Sequence, residues 1–149
     1  MTMSTTTLNR TYPAPAATKA NRALHVTVVA TSTESTLSAL RMAGALAKDL
    51  HASIKLVVPQ VVPYPLPLNQ PPVPLDFSSR HFRVLAGKTP VETTVQIYLC
   101  RDREQILQSV LPPRSLVVIG GRRSWWPTPE KRLARRLRRR GHEVVLAEA

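Results

Sequence analysis

The sequence is short of cysteine, of acidic residues and of long apolar runs. One Cys in 149 residues leaves nothing for an intramolecular disulfide framework and fits a reducing compartment. No apolar stretch approaches the roughly 18 residues that a membrane-spanning helix needs. The N-terminus lacks the apolar core of roughly 7–15 residues that marks a secretory signal. These absences make a soluble cytoplasmic protein the expectation. His25, His51, His81 and His142 lie far apart without metal-ligand spacing, and Cys100 stands alone, so no metal site is expected. There is no G-x-S-x-G elbow of a serine hydrolase.

What is present is unevenly distributed. Lys and Arg number 21 against 9 Asp and Glu, a net charge of +12. Residues 122–140 hold nine basic residues and one acid, a net +8, which leaves +4 for the rest of the chain. Seven of the 14 prolines fall between Pro59 and Pro74. The apolar fraction of 43% is that of an ordinary globular protein. The chain therefore reads as one domain with a basic segment and a proline-rich segment.

Residues 1–22 have almost no large apolar side chains, so they are expected to form a disordered tail. The domain proper is expected over 23–149. Residues 23–30 (ALHVTVVA) form a continuous apolar run, the pattern of a buried parallel strand. Thr31 and Glu34 fit a capping box, and Leu37, Leu40, Ala43, Gly44, Ala47 and Leu50 give a helical stripe. Residues 53–58 form a second strand. Residues 59–75 are expected as an extended loop, because proline removes donors and restricts its neighbours. A short helix follows over 76–86, with Asp76 as cap and Gly87 as stop.

Residues 92–99 form a third strand with Cys100 near its end. Asp102 caps a helix to Leu111, which Pro112-Pro113 ends. Residues 115–119 form a fourth strand ahead of Gly120-Gly121. Thr128-Pro129-Glu130 starts a helix that runs to about Arg140, with Gly141 as a left-handed stop. Residues 143–147 form a fifth strand. Strands alternating with helices imply an α/β domain with a mainly parallel sheet and helices on both faces.

Three stretches together resemble the universal stress protein family: HVTVVATSTESTLSALRMAGALAKDLHASIKLVVPQVVP, YLCRDREQILQSVLPPRSLVVIGG and TPEKRLARRLRRRGHEVVLAEA. The resemblance covers roughly residues 23–149. It implies the strand order 3-2-1-4-5 and a nucleotide crevice between strands one and four. The general rule for open α/β sheets chooses the same place. Ala30, Thr31, Ser32 and Val58 would line it on one side, and Gly120, Gly121, Arg122, Arg123 and Ser124 on the other. The family's ATP motif is G-x-x-G, nine residues, then G-[ST]. Aligned on Gly120, its second glycine falls on Arg123 and its final pair on Leu133 and Ala134. Thr31 stands where an acidic residue often follows the first strand. The proline-rich loop and short second helix also depart from the family's usual longer segment. The resemblance therefore implies a binding and regulatory protein with a degenerate site, not a tight ATP binder and not an enzyme. It further implies a homodimer through strand 143–147.

Two other readings stay open beside it. Arg132, Arg135, Arg136, Arg139 and Arg140 occupy adjoining helical positions and could meet the phosphates of nucleic acid or another polyanion. The plain reading is a surface helix that docks Leu133, Ala134 and Leu137 and solvates its arginines. Arginines after the fourth strand could alternatively hold ATP or AMP as charge-assisted donors. Trp125 and Trp126 beside those arginines could stack bases, although packing of at least one over the last helix is expected. The tripeptide Gly87-Lys88-Thr89 lacks the upstream glycine and strand of a phosphate loop. Asp76, Ser78, Ser79 and His81 crowd one helix and are expected as a cap and a solvated face. Cys100 is expected as a plain semi-buried thiol, with activation by Arg101 the rival reading.

Overall fold

A computed structural model describes residues 8–13 and 24–148. Its strands are β1 (Leu8–Pro13), β2 (His25–Val29), β3 (Ser53–Val61), β4 (Thr93–Cys100), β5 (Leu116–Gly121) and β6 (Glu143–Glu148). Its helices are α1 (Thr33–Leu50), α2 (Leu75–Ala86), α3 (Arg103–Val110) and α4 (Pro129–Arg139). The five strands from β2 to β6 form a parallel sheet in the order β4-β3-β2-β5-β6, which is the expected 3-2-1-4-5.

β1 adds an antiparallel strand outside β4, in register from Leu8 opposite Leu99 to Pro13 opposite Thr94. This corrects the expectation of a disordered tail for those six residues. The open edge of β4 offers main-chain donors and acceptors that any extended segment can meet. Hydropathy carries no signal of such a pairing. The rest of 1–22 lies outside the described residues.

The strand pattern follows from burial on both faces. Val26, Val28, Ile54, Leu56, Val95, Ile97 and Val118 meet α1 and α2 through Ala39, Leu40, Ala43, Ala47, Leu85 and Ala86. Val29, Val57, Tyr98, Val117, Ile119 and Val144 meet α3 and α4 through Ile106, Leu107, Leu133, Ala134 and Leu137. Each large side chain so buried contributes about 1.5–3 kcal/mol relative to exposure. The buried stripe of α1 departs from its sequence reading at one end, where Leu50 is exposed.

Several boundaries move for local reasons. Ser32, not Thr31, caps α1, its hydroxyl accepting the Ser35 amide at 3.2 Å. Asp76 does not cap α2, because Pro74 is the capping residue and Asp76 lies in the first turn. Gly87 ends α2 in right-handed rather than left-handed geometry. β3 takes in Pro59 through Val61, so the proline-rich loop starts at Val62. Asp102 and Thr128 cap α3 and α4 as the sequence indicates, and Gly141 has a φ of +94°.

Candidate functional site

Strand order reverses between β2 and β5, so their carboxyl ends form the natural ligand crevice of the sheet. Here the chain fills that crevice with itself. The Thr31 hydroxyl donates to the Gly120 carbonyl at 3.1 Å, and the Thr31 amide donates to Thr36 Oγ1 at 3.0 Å. The first turn of α1 sits directly on β5. A Cβ on Gly120 would lie 1.8 Å from the Ser35 carbonyl oxygen. Glycine is therefore required at 120 for helix seating, whatever ligand binds nearby. A Cβ on Gly121 would meet Glu130 Cβ at 3.3 Å. Leu133 and Ala134, at the positions of the motif's final pair, are buried inside α4.

The sequence-predicted crevice residues thus separate into groups. Ala30, Thr31 and Gly120 come together, with Ser32 engaged as a helix cap. Val58 is buried at the neighbouring strand. Arg122 and Arg123 lie exposed on the outgoing loop. Arg123 Nε is 3.9 Å from Glu148 Oε2, an ion pair between two exposed side chains and therefore weak. Ser124 accepts the Trp126 amide on its hydroxyl at 3.1 Å.

Open space lies one strand over. A cavity of about 280 Å³ is bounded by Ala30, Thr31 and Val58, by Gln60 and Val73, and by Phe77, Ser78, His81 and Phe82 of α2. Gln60 Nε2 donates to the Val73 carbonyl at 2.9 Å. Gln60 Oε1 is buried with no hydrogen-bond partner among the described residues. His81 Nε2 lies 3.2 Å from Thr33 Oγ1. The Phe77 ring lies parallel to His81 with centroids 6.4 Å apart, and Phe82 meets His81 edge-on at 5.0 Å. The site is an apolar, aromatic slot. The sequence reading placed the α2 helix but did not connect it or Gln60 with the crevice, because the proline-rich segment around Gln60 carried no motif. The reading of Ser78 and Ser79 as a solvated face is also corrected, since both are buried.

On the opposite face of the sheet, α4 docks Leu133, Ala134 and Leu137. Its arginines do not act as one set. Arg136 is hydrogen-bonded to Glu104, and Arg138 Nη2 donates to the Val144 carbonyl at 2.8 Å. A second cavity of about 280 Å³ between α3 and α4 mixes Asp102 and Glu104 with Arg103, Arg132 and Arg136, so its charge is largely compensated. Arg132, Arg135, Arg139 and Arg140 are exposed. The expectation that one tryptophan packs over this helix fails. Trp125 is 91% and Trp126 69% exposed. They touch one another instead, with ring centroids 5.8 Å apart.

Cys100 is buried, and its Sγ lies 3.8 Å from the Gln60 carbonyl. Burial pushes its thiol up to about 11; Asp102 adds to the rise and Arg103 opposes it. Arg101 points elsewhere, onto the carbonyls of Val62 and Leu66 at 2.9 and 2.8 Å. His25 Nδ1 is 2.7 Å from Ser53 Oγ, and His142 Nδ1 accepts the Ser115 amide at 3.1 Å, both at strand ends. Among the described residues, no group of three His, Cys, Asp or Glu could hold a metal ion, and no helix is long and apolar enough to cross a membrane. No protein-family model matches the chain, and no curated protein matches it.

Proposed function

We propose that the chain is a universal-stress-protein-like binding and regulatory protein whose ligand site has lost its phosphate cradle and kept its apolar slot. The observation that carries this reading is the hydrogen bond from Thr31 to Gly120, with Ser35 seated on the same glycine. Together they occupy the strand ends where a phosphate-binding relative would present free backbone amides. The cavity beside Val58 remains open, and its lining by Phe77, His81 and Phe82 suits a flat heterocycle. An adenine base fits such a slot, with its phosphates left in solvent. ATP and AMP are then weak ligands distinguished little from adenosine. The protein acts by binding in the cytoplasm rather than by turnover. It pairs as a homodimer through β6, whose outer edge carries no strand among the described residues.

Calorimetry with adenosine, AMP and ATP tests the reading. Dissociation constants within about fivefold of one another support it. Ligand at ten times its dissociation constant stabilises the fold by about 1.4 kcal/mol, a rise of roughly 3–5 °C in melting temperature for a chain of this size. ATP binding a hundredfold tighter than adenosine would show that the phosphates are held. The absence of heat and of any melting shift with all three would remove the nucleotide reading.

A further inference from the structure

We propose that Trp125, Trp126 and the outward row of α4 form a binding surface for single-stranded nucleic acid, separate from the apolar slot. Two adjacent tryptophans exposed to 91% and 69% are costly to keep in water unless something covers them. The backbone that carries them is constrained. The Ser124 hydroxyl takes the Trp126 amide at 3.1 Å. Pro127 and Pro129 restrict the chain on both sides of Thr128, the α4 cap. That backbone keeps both tryptophans next to the N-terminal end of the basic helix.

The helix itself supplies the complementary charge. Arg132, Arg135 and Arg139 follow an i, i+3, i+7 row on the face away from buried Leu133 and Leu137. Among the described residues none of the three guanidinium groups has a hydrogen-bond or ion-pair partner, and of the three only Arg132 borders the cavity that holds Asp102 and Glu104. The row is about 10 Å long, enough to follow a few successive phosphates. Planar, sequence-tolerant aromatic faces beside a line of cations are the two components of single-strand recognition. A membrane surface fits less well, because the apolar stripe of α4 is already spent on the sheet and only two rings remain to insert. A duplex would satisfy the arginines and leave the tryptophans without stacked bases.

The chain has only two tryptophans, so its tryptophan emission reports this surface directly. The intact protein is titrated with a thymidylate 12-mer, with the same strand in a duplex, and with phosphatidylserine–phosphatidylcholine vesicles. The expected result is quenching by the single strand, with tighter binding than to the duplex. The logarithm of the affinity should fall with the logarithm of salt at a slope of about −2, for three neutralised phosphates. Arg132→Gln/Arg135→Gln/Arg139→Gln should flatten that slope toward zero. Trp125→Ala/Trp126→Ala should lower single-strand affinity at least about fivefold and abolish the preference over duplex. All five side chains are exposed, and unchanged circular dichroism keeps the comparison clean. No quenching, equal duplex affinity unaffected by the tryptophan substitutions, or a response to vesicles alone would each overturn the proposal.

Discussion

The Thr31 hydroxyl reaches 3.1 Å to the carbonyl of Gly120 and ties together the two strand ends between which an open α/β sheet ordinarily binds its ligand. The contact exists because α1 begins immediately after β2 and its first turn lies flat on β5. Gly120 has no Cβ to hold that turn away. The same geometry makes the two adjacent glycines unequal. Gly120→Ala drives a methyl into the Ser35 backbone, which cannot yield without moving the helix. A loss of about 3 kcal/mol, at the upper end of overpacking costs, is expected in urea denaturation. Gly121→Ala meets only the Glu130 side chain at 3.3 Å and should cost under about 1 kcal/mol. Equal effects at the two positions would contradict this seating.

Gln60 joins the slot to stability in a way that can be measured separately. Its Oε1 is buried without a partner, while its Nε2 holds the Val73 carbonyl. Gln60→Leu removes an unsatisfied acceptor and one hydrogen bond at once. These changes nearly cancel, so the unfolding free energy should change by less than about 1 kcal/mol. Adenosine affinity should nevertheless fall, because Gln60 and the Val73 segment that it holds line the slot. Unchanged affinity in calorimetry would dissociate Gln60 from the ligand.

The α/β alternation was legible because the strands that form the parallel sheet are buried on both faces and read as continuous apolar runs. The caps at Asp102 and Thr128 were legible because short polar side chains there satisfy helix amides. Other features left no local trace. β1 joins the sheet through its main chain, so the composition of residues 8–13 says nothing about it. The apolar slot is assembled from Val58 and Gln60 on one strand and His81 and Phe82 on a helix twenty residues later. No spacing rule connects them. The motif alignment makes glycine at 120 a remnant of a phosphate loop, whereas its environment assigns it to the packing of α1. The exposure of Trp125 and Trp126 runs against the usual preference of tryptophan for cover, and only the structure reveals it.

Cys100 gives a prediction that depends on pH. Its thiol is raised from an ordinary value of 9 to about 11, with burial the main cause. The folded state therefore keeps the proton that the unfolded state loses above pH 9. Stability from this group is fully present below pH 9 and declines as pH rises from 9 to 11, by at most about 1.4 kcal/mol per pH unit. Cys100→Ser should remove that decline from the pH dependence of urea midpoints. At pH 8 the native thiol should react with a disulfide reagent at least tenfold more slowly than the unfolded chain. Equal rates would place it in an accessible, ionised setting.

The β6 edge supplies a test of self-association. Successive residues of a strand direct their main-chain bonds to alternate sides. Of Val145→Pro and Leu146→Pro, one therefore loses an amide facing β5 and the other an amide facing outward. The first should lower the melting temperature. The second should leave it within about 3 °C and yield monomers in light scattering where the parent chain is dimeric. Dimers persisting in the thermally unaffected variant would exclude pairing through β6.

Arg101 governs the proline-rich loop rather than the neighbouring thiol. Its Nη1 donates to the Val62 and Leu66 carbonyls, and its guanidinium lies 4.1 Å from the centroid of the Tyr64 ring. Prolines leave this loop few amides of its own, so its order rests on a charged donor from β4's end. The amides of Leu66 and Gln70, which donate to Pro63 and Pro67 carbonyls, report its opening by hydrogen exchange. A hydrogen bond to a charged group contributes about 1.5–3 kcal/mol. Arg101→Ala should therefore speed exchange at both amides by about tenfold or more, with global stability little changed. Arg101→Lys keeps the charge but loses the planar group over Tyr64, and it should fall between the two. Exchange rates that match the parent in Arg101→Ala would mean that the loop is held by its own turns.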